Sequence, residues 1–470
     1  DTDGDLVADK RTPLIDFATA APNNIEHAEN GLHYAIDNWM YNSKSQRRLQ
    51  WRDGELIETP TKSRGQWGMA ADAFGRLYYN SNSVWFQSDS EIYDQQYGKA
   101  GSPTNAVYAI RPNTAINRAY KPGTIQEDGR IKRITSVSGL AVHSDGAYGE
   151  DWQGTIFSFS PGANTVGAFV PKAPMPASSK YQHMLYPDEN WSQREFLAST
   201  DERFRPVNAL TGPEGALYLV DMHHGVIQHR ISLTSYLRKQ GEDRGLIAPL
   251  HLGRLWRVVP EGHKTTGLKG LAGLKPADLI AELGSGNEWR RETAQRLLIE
   301  SGDKSLAAAL TAFGRETKSP MGRVHALWTQ HGLGVADWAL VSAGLADADP
   351  RVRAAALRVS EDLVAGPQRA EVIARWTQLA ASEAVPEVQV QLALTMGEAK
   401  ELSVDLAAAA LAQRAAEHIA IQDAFLSGLA GRELEVFAAV LKQPAAYSKT
   451  LPAALLRCVF AERKPARVAQ

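Results

Sequence analysis

A recurring hairpin pattern between residues 31 and 220 constrains the fold of this chain more than any other feature. Each copy is a short apolar run, a tight turn that contains Gly or Asn, and a second apolar run, which is typical of a β-hairpin. The copies occupy residues 31–41, 68–79, 139–159 and 208–220. Hairpins that recur at irregular intervals of about 40 to 70 residues are typical of the blades of a β-propeller. The sequence therefore predicts a β-propeller in the first half of the chain.

The hairpin geometry also predicts where polar side chains gather. Residues before the first strand and residues after the second strand lie on one face, opposite the turn. Aligning the glycines of the first three copies places His27, Arg64 and Thr135 at one equivalent position, four residues before the glycine. Polar residues follow the second strands on the same face, namely Asn42, Asn80, Asn82, Asp221, His223 and His224. We therefore expect a polar mouth to a central channel, suited to a polar anionic ligand.

The second half of the chain has a different periodicity. From about residue 271, Ala and Leu dominate and apolar residues recur with the helical period. The segment Asp349–Arg353 resembles the signature of HEAT repeats. Equivalent breaks fall at residues 287, 319, 385 and 417, about 30 to 36 residues apart. We expect an α-solenoid of about five helix pairs that acts as a scaffold or docking surface.

These two patterns predict a multidomain β + α architecture. The expected parts are a β-propeller over residues 1–260, a Gly-rich linker over 261–270 and HEAT-like helical repeats over 271–470. Because the chain opens at Asp1 inside an acidic motif, and four hairpins are few for a closed ring, we interpret the propeller as incomplete at its N-terminus.

Composition excludes several classes of function. The 51 basic and 53 acidic residues nearly cancel, which argues against nucleic acid or an anionic membrane as the main partner. No apolar run approaches the ~18 residues of a membrane-spanning helix. The lone Cys458 excludes an intrachain disulfide and any Cys-x-x-Cys site.

Two clusters have residue types that bind metal ions. Asp1, Asp3, Asp5 and Asp9 alternate around a glycine, which suits calcium, although a solvated acidic turn explains the same pattern. The second cluster contains Asp221, His223, His224 and His229. Adjacent histidines on an extended strand point to opposite faces, so at most one of them shares an ion with Asp221.

Two long stretches between the hairpins have weak periodicity. Residues 83–130 and 171–200 are rich in Pro and aromatic residues, and we expect elaborated loops over one face of the ring. Such loops are candidates for substrate specificity, and packing insertions are the alternative.

Residues 1–11, 23–41, 196–229 and 244–262, followed by the helical repeats, resemble a known group of proteins. They are similar to the glucose/sorbosone dehydrogenase group of quinoproteins, in particular the "membrane-bound dehydrogenase" propellers of planctomycete and verrucomicrobial type. The resemblance implies oxidation of a sugar or other alcohol with pyrroloquinoline quinone (PQQ) and calcium as cofactors. It also implies a periplasmic or extracytoplasmic location.

The resemblance implies roles for particular residues. Laying the family's pattern on this chain places the general base at His27. Residues of suitable type to hold the quinone are Arg64, Gln66, Asn80, Arg205 and Asn208. The chain departs from the family where Glu29 and its neighbours replace glycines, which leaves quinone stacking in doubt. It has no Cys-x-x-Cys-His haem motif, so electrons would pass to an external acceptor such as a c-type cytochrome.

The same residues are also compatible with structural roles. His27 could be a histidine that hydrogen-bonds to the backbone at a blade corner, and Arg64 and Arg205 could join adjacent blades through carbonyl groups. A non-catalytic propeller that binds a glycan or a protein, with a helical docking scaffold, is the alternative function, because propellers serve many functions.

Overall fold

The computed structural model combines antiparallel sheets in the N-terminal half with helices in the C-terminal half. It describes residues 2–3, 5, 7–15, 28–52, 54–89, 107–110, 127, 134–144, 146–171, 181–189, 192–264, 270–443, 446–447, 450–461 and 464–469.

The β-rich half contains four antiparallel meanders in chain order. The first sheet contains β1 (Asn30–Tyr34), β2 (Met40–Ser43), β3 (Arg47–Arg52) and β4 (Glu55–Pro60). The second contains β5 (Met69–Ala71), β6 (Leu77–Ser81), β7 (Val84–Asp89) and β8 (Val107–Ile110). The third contains β9 (Leu140–His143), β10 (Thr155–Ser160), β11 (Thr165–Pro171) and β12 (Tyr181–Met184).

Three short strands separate the third sheet from the fourth. The strands β13 (Tyr186–Asp188) and β14 (Ser192–Arg194) form a separate pair, and β15 (Leu197–Ala198) pairs with β11. The fourth sheet contains β16 (Pro206–Thr211), β17 (Leu217–Asp221) and β18 (Arg254–Val258). The helix α1 (Ser235–Asp243) lies in the connection between β17 and β18.

The predicted hairpins β1–β2, β5–β6 and β16–β17 are confirmed, together with their turns. Asn38, Gly75 and Gly215 occupy these turns with φ of 66°, 78° and 83°. Only glycine, and to a lesser degree asparagine, adopts this left-handed region without strain, so the turn residues fix the pairing of the strands. The third hairpin, β9–β10, also forms.

The expectation of long loops over residues 83–130 and 171–200 is wrong in part. The first stretch contains β7 and β8, and the second contains the strands from β12 to β15. The reason is visible at Trp85 and Phe86, which are consecutive and both buried because the sheet is covered on both faces. Such strands lack the alternation of apolar and polar residues that identifies a half-exposed strand.

Aromatic side chains fill the space between the second and third sheets. The Phe86 ring meets the Phe169 ring edge-on at 5.0 Å between centroids, and Trp85 lies 5.6 Å from the same ring. The Trp85 carbonyl accepts a hydrogen bond from Ser158 Oγ at 2.6 Å. These contacts join neighbouring sheets face to face, so the sheets have fixed relative positions.

The C-terminal half consists of thirteen helices in the described residues. They are α2 (Pro276–Glu282), α3 (Glu288–Glu300), α4 (Ala307–Glu316), α5 (Pro320–Gly332), α6 (Trp338–Gly344), α7 (Pro350–Ser360), α8 (Arg369–Ser382), α9 (Pro386–Met396), α10 (Leu402–Arg414), α11 (Ile419–Ser427), α12 (Glu433–Leu441), α13 (Thr450–Ala461) and α14 (Pro465–Val468).

The predicted breaks of the helical half are confirmed as helix starts. Asn287, Ser319 and Asp349 cap α3, α5 and α7, and each side chain accepts a backbone hydrogen bond in the first turn. The helices α3, α5, α7, α9 and α11 contact one another in sequence and form one row. Among the described helices, none is long and apolar enough to cross a lipid bilayer.

The two halves meet where α3 crosses the hairpin turns. Gln295 donates from Nε2 to the Ile36 carbonyl at 2.9 Å and to Asn38 Oδ1 at 2.6 Å. At the start of α3, Asn287 Nδ2 donates to the Pro213 carbonyl at 3.1 Å. The helix therefore spans the turn ends of the first and fourth sheets, and the opposite ends of the sheets stay uncovered by it.

Candidate functional site

The first strands of the three later sheets begin side by side. A Cβ atom at Gly68 would lie 2.6 Å from Gly139 Cα, and one at Gly139 would lie 2.4 Å from Asn208 Oδ1. Gly139 N also donates to the Val207 carbonyl at 2.7 Å. Any side chain at these glycines would collide with the next sheet. We call this end, opposite the hairpin turns, the mouth.

Three of the five residues predicted to bind the cofactor are linked at the mouth. Gln66 N donates to the Asn80 carbonyl at 2.8 Å, and Asn80 Nδ2 donates to the Gly139 carbonyl at 3.3 Å. Asn208 lies against the same glycine. Asn80 is fully buried, whereas Asn208 is exposed. The structure therefore brings Gln66, Asn80 and Asn208 together. Of these three side chains, that of Asn208 is the most exposed to a ligand from solvent.

Three amides at the mouth, the partly exposed Gln66 and the exposed Asn82 and Asn208, share one arrangement of hydrogen bonds. Gln66 Oε1 accepts from Asn82 N at 3.3 Å, and Asn82 Oδ1 accepts from Ser136 N at 3.0 Å. Asn208 Oδ1 accepts from Ala209 N at 3.0 Å. Each oxygen is thus used by the protein, while the three NH2 groups have no partner among the described residues. The mouth presents hydrogen-bond donors on fixed side chains.

Arg64 and Arg205 are buried and bonded to the protein itself. Arg205 donates from Nη1 to the Pro161 carbonyl at 2.7 Å, from Nη2 to Gly225 at 2.8 Å and from Nε to His224 at 3.1 Å. Arg64 Nη1 donates within its own loop, to Thr61 Oγ1 at 3.0 Å and to the Lys62 carbonyl at 3.2 Å. These donors are directed at protein oxygens, so the two guanidinium groups do not fit a cradle for the carboxylates of PQQ as they are placed.

His27 and Asp1 lie outside the residues that the structure describes, and their roles stay predictions. The described acidic residues near the N-terminus are exposed and accept hydrogen bonds locally. Asp3 Oδ1 accepts from Asp5 N at 3.2 Å, and Asp9 Oδ2 accepts from Thr2 Oγ1 at 2.8 Å. Hydrogen bonds from the backbone N–H and then the hydroxyl group of Thr2 lower the pKa of Asp9. No group of three metal-ligating side chains occurs among the described residues.

His223 is held between two carboxylates near the end of β17. Its Nδ1 lies 3.2 Å from Asp221 Oδ2, and its Nε2 lies 3.9 Å from Asp201 Oδ2. Asp221 is buried and also accepts from Trp256 Nε1 at 3.0 Å. The His223 backbone has φ of 44°, a conformation that is uncommon outside glycine. The neighbouring His224 Nδ1 instead contacts the Val226 carbonyl, so only one of the adjacent histidines faces Asp221.

A cavity of about 360 Å³ lies between the first strands of all four sheets. Its lining includes Leu32 of β1 and Leu210 of β16, which are 56% and 52% exposed although they lie in the interior of the β-rich half. At the turn end the lining includes Glu288, Trp289 and Glu292 of α3. The cavity is therefore formed jointly by the sheets and the helical half.

The two carboxylates of α3 were not among the residues predicted from the sequence. They belong to a half that the sequence identifies as a scaffold, and their cavity exists only because α3 lies on the sheets. One signal was available: Glu288 and Glu292 are like charges at i and i+4, a pairing that destabilises an isolated helix.

Comparison with known proteins gives a family without an assigned activity. No curated protein and no solved structure matches the chain. Residues 1–262, more than half of the chain, match the family described as "Domain of unknown function (DUF7133)". The protein therefore belongs to the DUF7133 family.

Proposed function

We propose that the β-rich half is a β-propeller whose mouth binds a sugar or a similar polyol. The propeller interpretation is supported by the four meanders, whose first strands line one cavity in chain order. In this proposal the helical half is a HEAT-like scaffold, which covers the turn ends of the sheets and offers its remaining surface to a protein partner.

One observation carries the choice of ligand. The amide oxygens of Gln66, Asn82 and Asn208 are occupied, and their NH2 groups have no partner among the described residues. Fixed NH2 donors suit a ligand with several oxygen acceptors, and hydroxyl groups of a sugar meet this requirement. Asn82 and Asn208 are exposed, so a ligand reaches them from solvent.

The quinone-dependent oxidation implied by the resemblance is the second candidate. The same NH2 donors suit the carboxylates of PQQ, which favours this candidate. The buried Arg64 and Arg205 do not complete such a site, because their donors are used by protein oxygens. The described residues therefore support no particular oxidation step. The electron acceptor, calcium and an extracytoplasmic location belong to this second candidate.

Isothermal titration calorimetry with D-glucose and D-sorbitol tests the first proposal. We expect saturable binding with a Kd of about 1 mM. The double variant Gln66→Glu with Asn208→Asp keeps both oxygens and removes both NH2 groups. Because each hydrogen bond contributes about 0.5–1.5 kcal/mol, the double variant should bind at least about tenfold more weakly. The matched control is Gln193→Glu, an exposed amide on β14, which should leave the affinity unchanged.

Absence of sugar binding by the native chain, or full binding by the double variant, would reject the sugar site. Dye reduction with sugars after addition of PQQ and calcium tests the second candidate on the same samples. Quinone-dependent turnover would establish an enzyme, and an unchanged rate in His27→Ala would remove His27 from its mechanism. Sugar binding without turnover would leave the non-catalytic module.

A further inference from the structure

The cavity begins at the mouth, where Asn208 lines it, and ends at the two carboxylates of α3. Its volume of about 360 Å³ is at the lower end of the range for small-molecule sites. Part of the wall is apolar: Leu32, Leu210 and the indoles of Trp67 and Trp289 lie in the lining beside polar groups such as Asn208 and Thr211. Such a wall binds the apolar body of a small ligand.

The charge of the cavity has one sign. Glu288 and Glu292 are its ionisable acids, and no Lys or Arg occurs among the described residues that line it. His33 also lines the cavity, but burial lowers its pKa to about 4, so its imidazole is neutral at pH 6 and above. The nearby Arg291 is buried and is not part of the lining; its Nη1 donates to the Ser285 carbonyl at 2.8 Å, and its charge partly opposes the rise in the pKa of Glu292. The cavity therefore attracts a cation and repels an anion.

The two carboxylates differ in how they are held. Glu288 Oε2 accepts from Ser144 N at 3.2 Å, which fixes this group against the third sheet. Glu292 makes no hydrogen bond with a described residue, and its side chain is exposed within the cavity, whose walls shield it from bulk water. Glu292 is thus an acceptor without a partner, one helical turn from a fixed carboxylate.

The pKa of Glu292 agrees with its position beside a second carboxylate. Removal from bulk water, followed by the charge of Glu288, raises the pKa of Glu292 to about 8. Near neutral pH the side chain is therefore mainly protonated when no cation is present. A bound cation would replace that proton, since it stabilises the ionised carboxylate.

We propose that this cavity binds a small organic cation, with its ammonium group at Glu288 and Glu292 and its body against Trp67 and Trp289. Carboxylates form charge-assisted hydrogen bonds with an ammonium group, and an indole face attracts the same charge. A metal ion suits the site less well, because the described residues provide two acidic ligands and no third.

Benzylammonium is a suitable probe, and benzyl alcohol is its neutral counterpart of similar shape. Calorimetry on the full chain between pH 6 and 8.5 should show saturable binding of benzylammonium. Its affinity should rise by up to about tenfold per pH unit below pH 8, as the proton on Glu292 is displaced. Benzyl alcohol should bind at least about tenfold more weakly, because it cannot form the ion pairs.

Two variants on α3 give a matched comparison. Glu292→Gln keeps the shape of a side chain that is already mainly neutral, so the protein should fold, and benzylammonium should bind at least about tenfold more weakly with little dependence on pH. Glu300→Gln is the same change on the same helix outside the cavity, and it should leave binding unchanged. The proposal is overturned by any of three results: no saturation at about 10 mM benzylammonium, equal affinity for benzyl alcohol, or native affinity in Glu292→Gln.

Discussion

Replacing Arg205 with Met tests whether this buried arginine is structural or ligand-binding. Met keeps most of the aliphatic volume and removes all donors. Three carbonyl oxygens, those of Pro161, His224 and Gly225, would then lose their partner. Arg205 is 6% exposed, so water cannot easily replace the lost donors.

The magnitude follows from these three bonds. A hydrogen bond from a charged donor contributes about 1.5–3 kcal/mol, and a simple sum would give about 5–9 kcal/mol. Bonds that share one donor group are not additive, and losses above about 5 kcal/mol are exceptional. We therefore expect Arg205→Met to lower the free energy of unfolding by about 3–5 kcal/mol.

Arg203 provides a matched control on the same segment. It also donates to three carbonyl groups, those of Gly245, Leu246 and Ala248, but two of these bonds are exposed to solvent. Water can replace exposed donors, so Arg203→Met should cost only about 1 kcal/mol. Urea unfolding followed by tryptophan fluorescence measures both values. A loss below about 1 kcal/mol for Arg205→Met, or equal losses for the two variants, would refute the structural role.

Three further predictions concern the joint between the halves and the cavity. Gln295→Leu removes the donor of the Ile36 carbonyl, leaves Asn38 Oδ1 with only the longer bond from the Tyr34 hydroxyl at 3.3 Å, and removes the contact of His325 Nδ1 with Gln295 Oε1. Calorimetry should therefore show a loss of about 3 kcal/mol and separate transitions of the two halves, and one unchanged transition would contradict this. The pKa of Glu292 is raised to about 8, so the native chain loses stability as pH rises from about 4.5 to 8. Glu292→Gln removes this loss, so it should raise the Tm relative to the native chain at pH 9 but not at pH 5. Equal Tm differences at both pH values would contradict this prediction. Burial lowers the pKa of His33 to about 4, so the native chain loses stability as pH falls from 6.5 towards 4. In urea titrations, His33→Gln should remove up to about 3 kcal/mol of that loss, and parallel pH profiles of the two proteins would contradict this prediction.

Local chemistry made the hairpins and helix starts predictable from the sequence. A positive φ at Asn38, Gly75 and Gly215 is a property of the turn residue itself. The capping side chains Ser319 and Asp349 likewise act on the next few residues. Such effects act within a few residues, so they can be predicted without knowing the rest of the fold.

The candidate site was only partly predictable, because hydrogen-bond partners come from distant parts of the chain. The residue type of Arg205 suits an anionic ligand, but its donors are directed at Pro161 and Gly225, which no spacing rule connects to it. Likewise Gln66 and Asn208 were predicted as ligand contacts without the information that only their NH2 groups remain available. Residue type predicts what a side chain can do, and the fold decides what remains for a ligand.

The position of α3 links the two halves in function as well as in structure. The helix supplies Gln295 to the joint and Glu292 to the cavity, three residues apart on one element. A ligand that contacts both the sheets and α3 binds the docked arrangement more tightly than a separated one. By mass action its binding stabilises docking, by about 2.7 kcal/mol at a hundredfold excess over Kd. A cation in the cavity and the contact between the halves therefore favour each other, so the helical half is part of the binding unit.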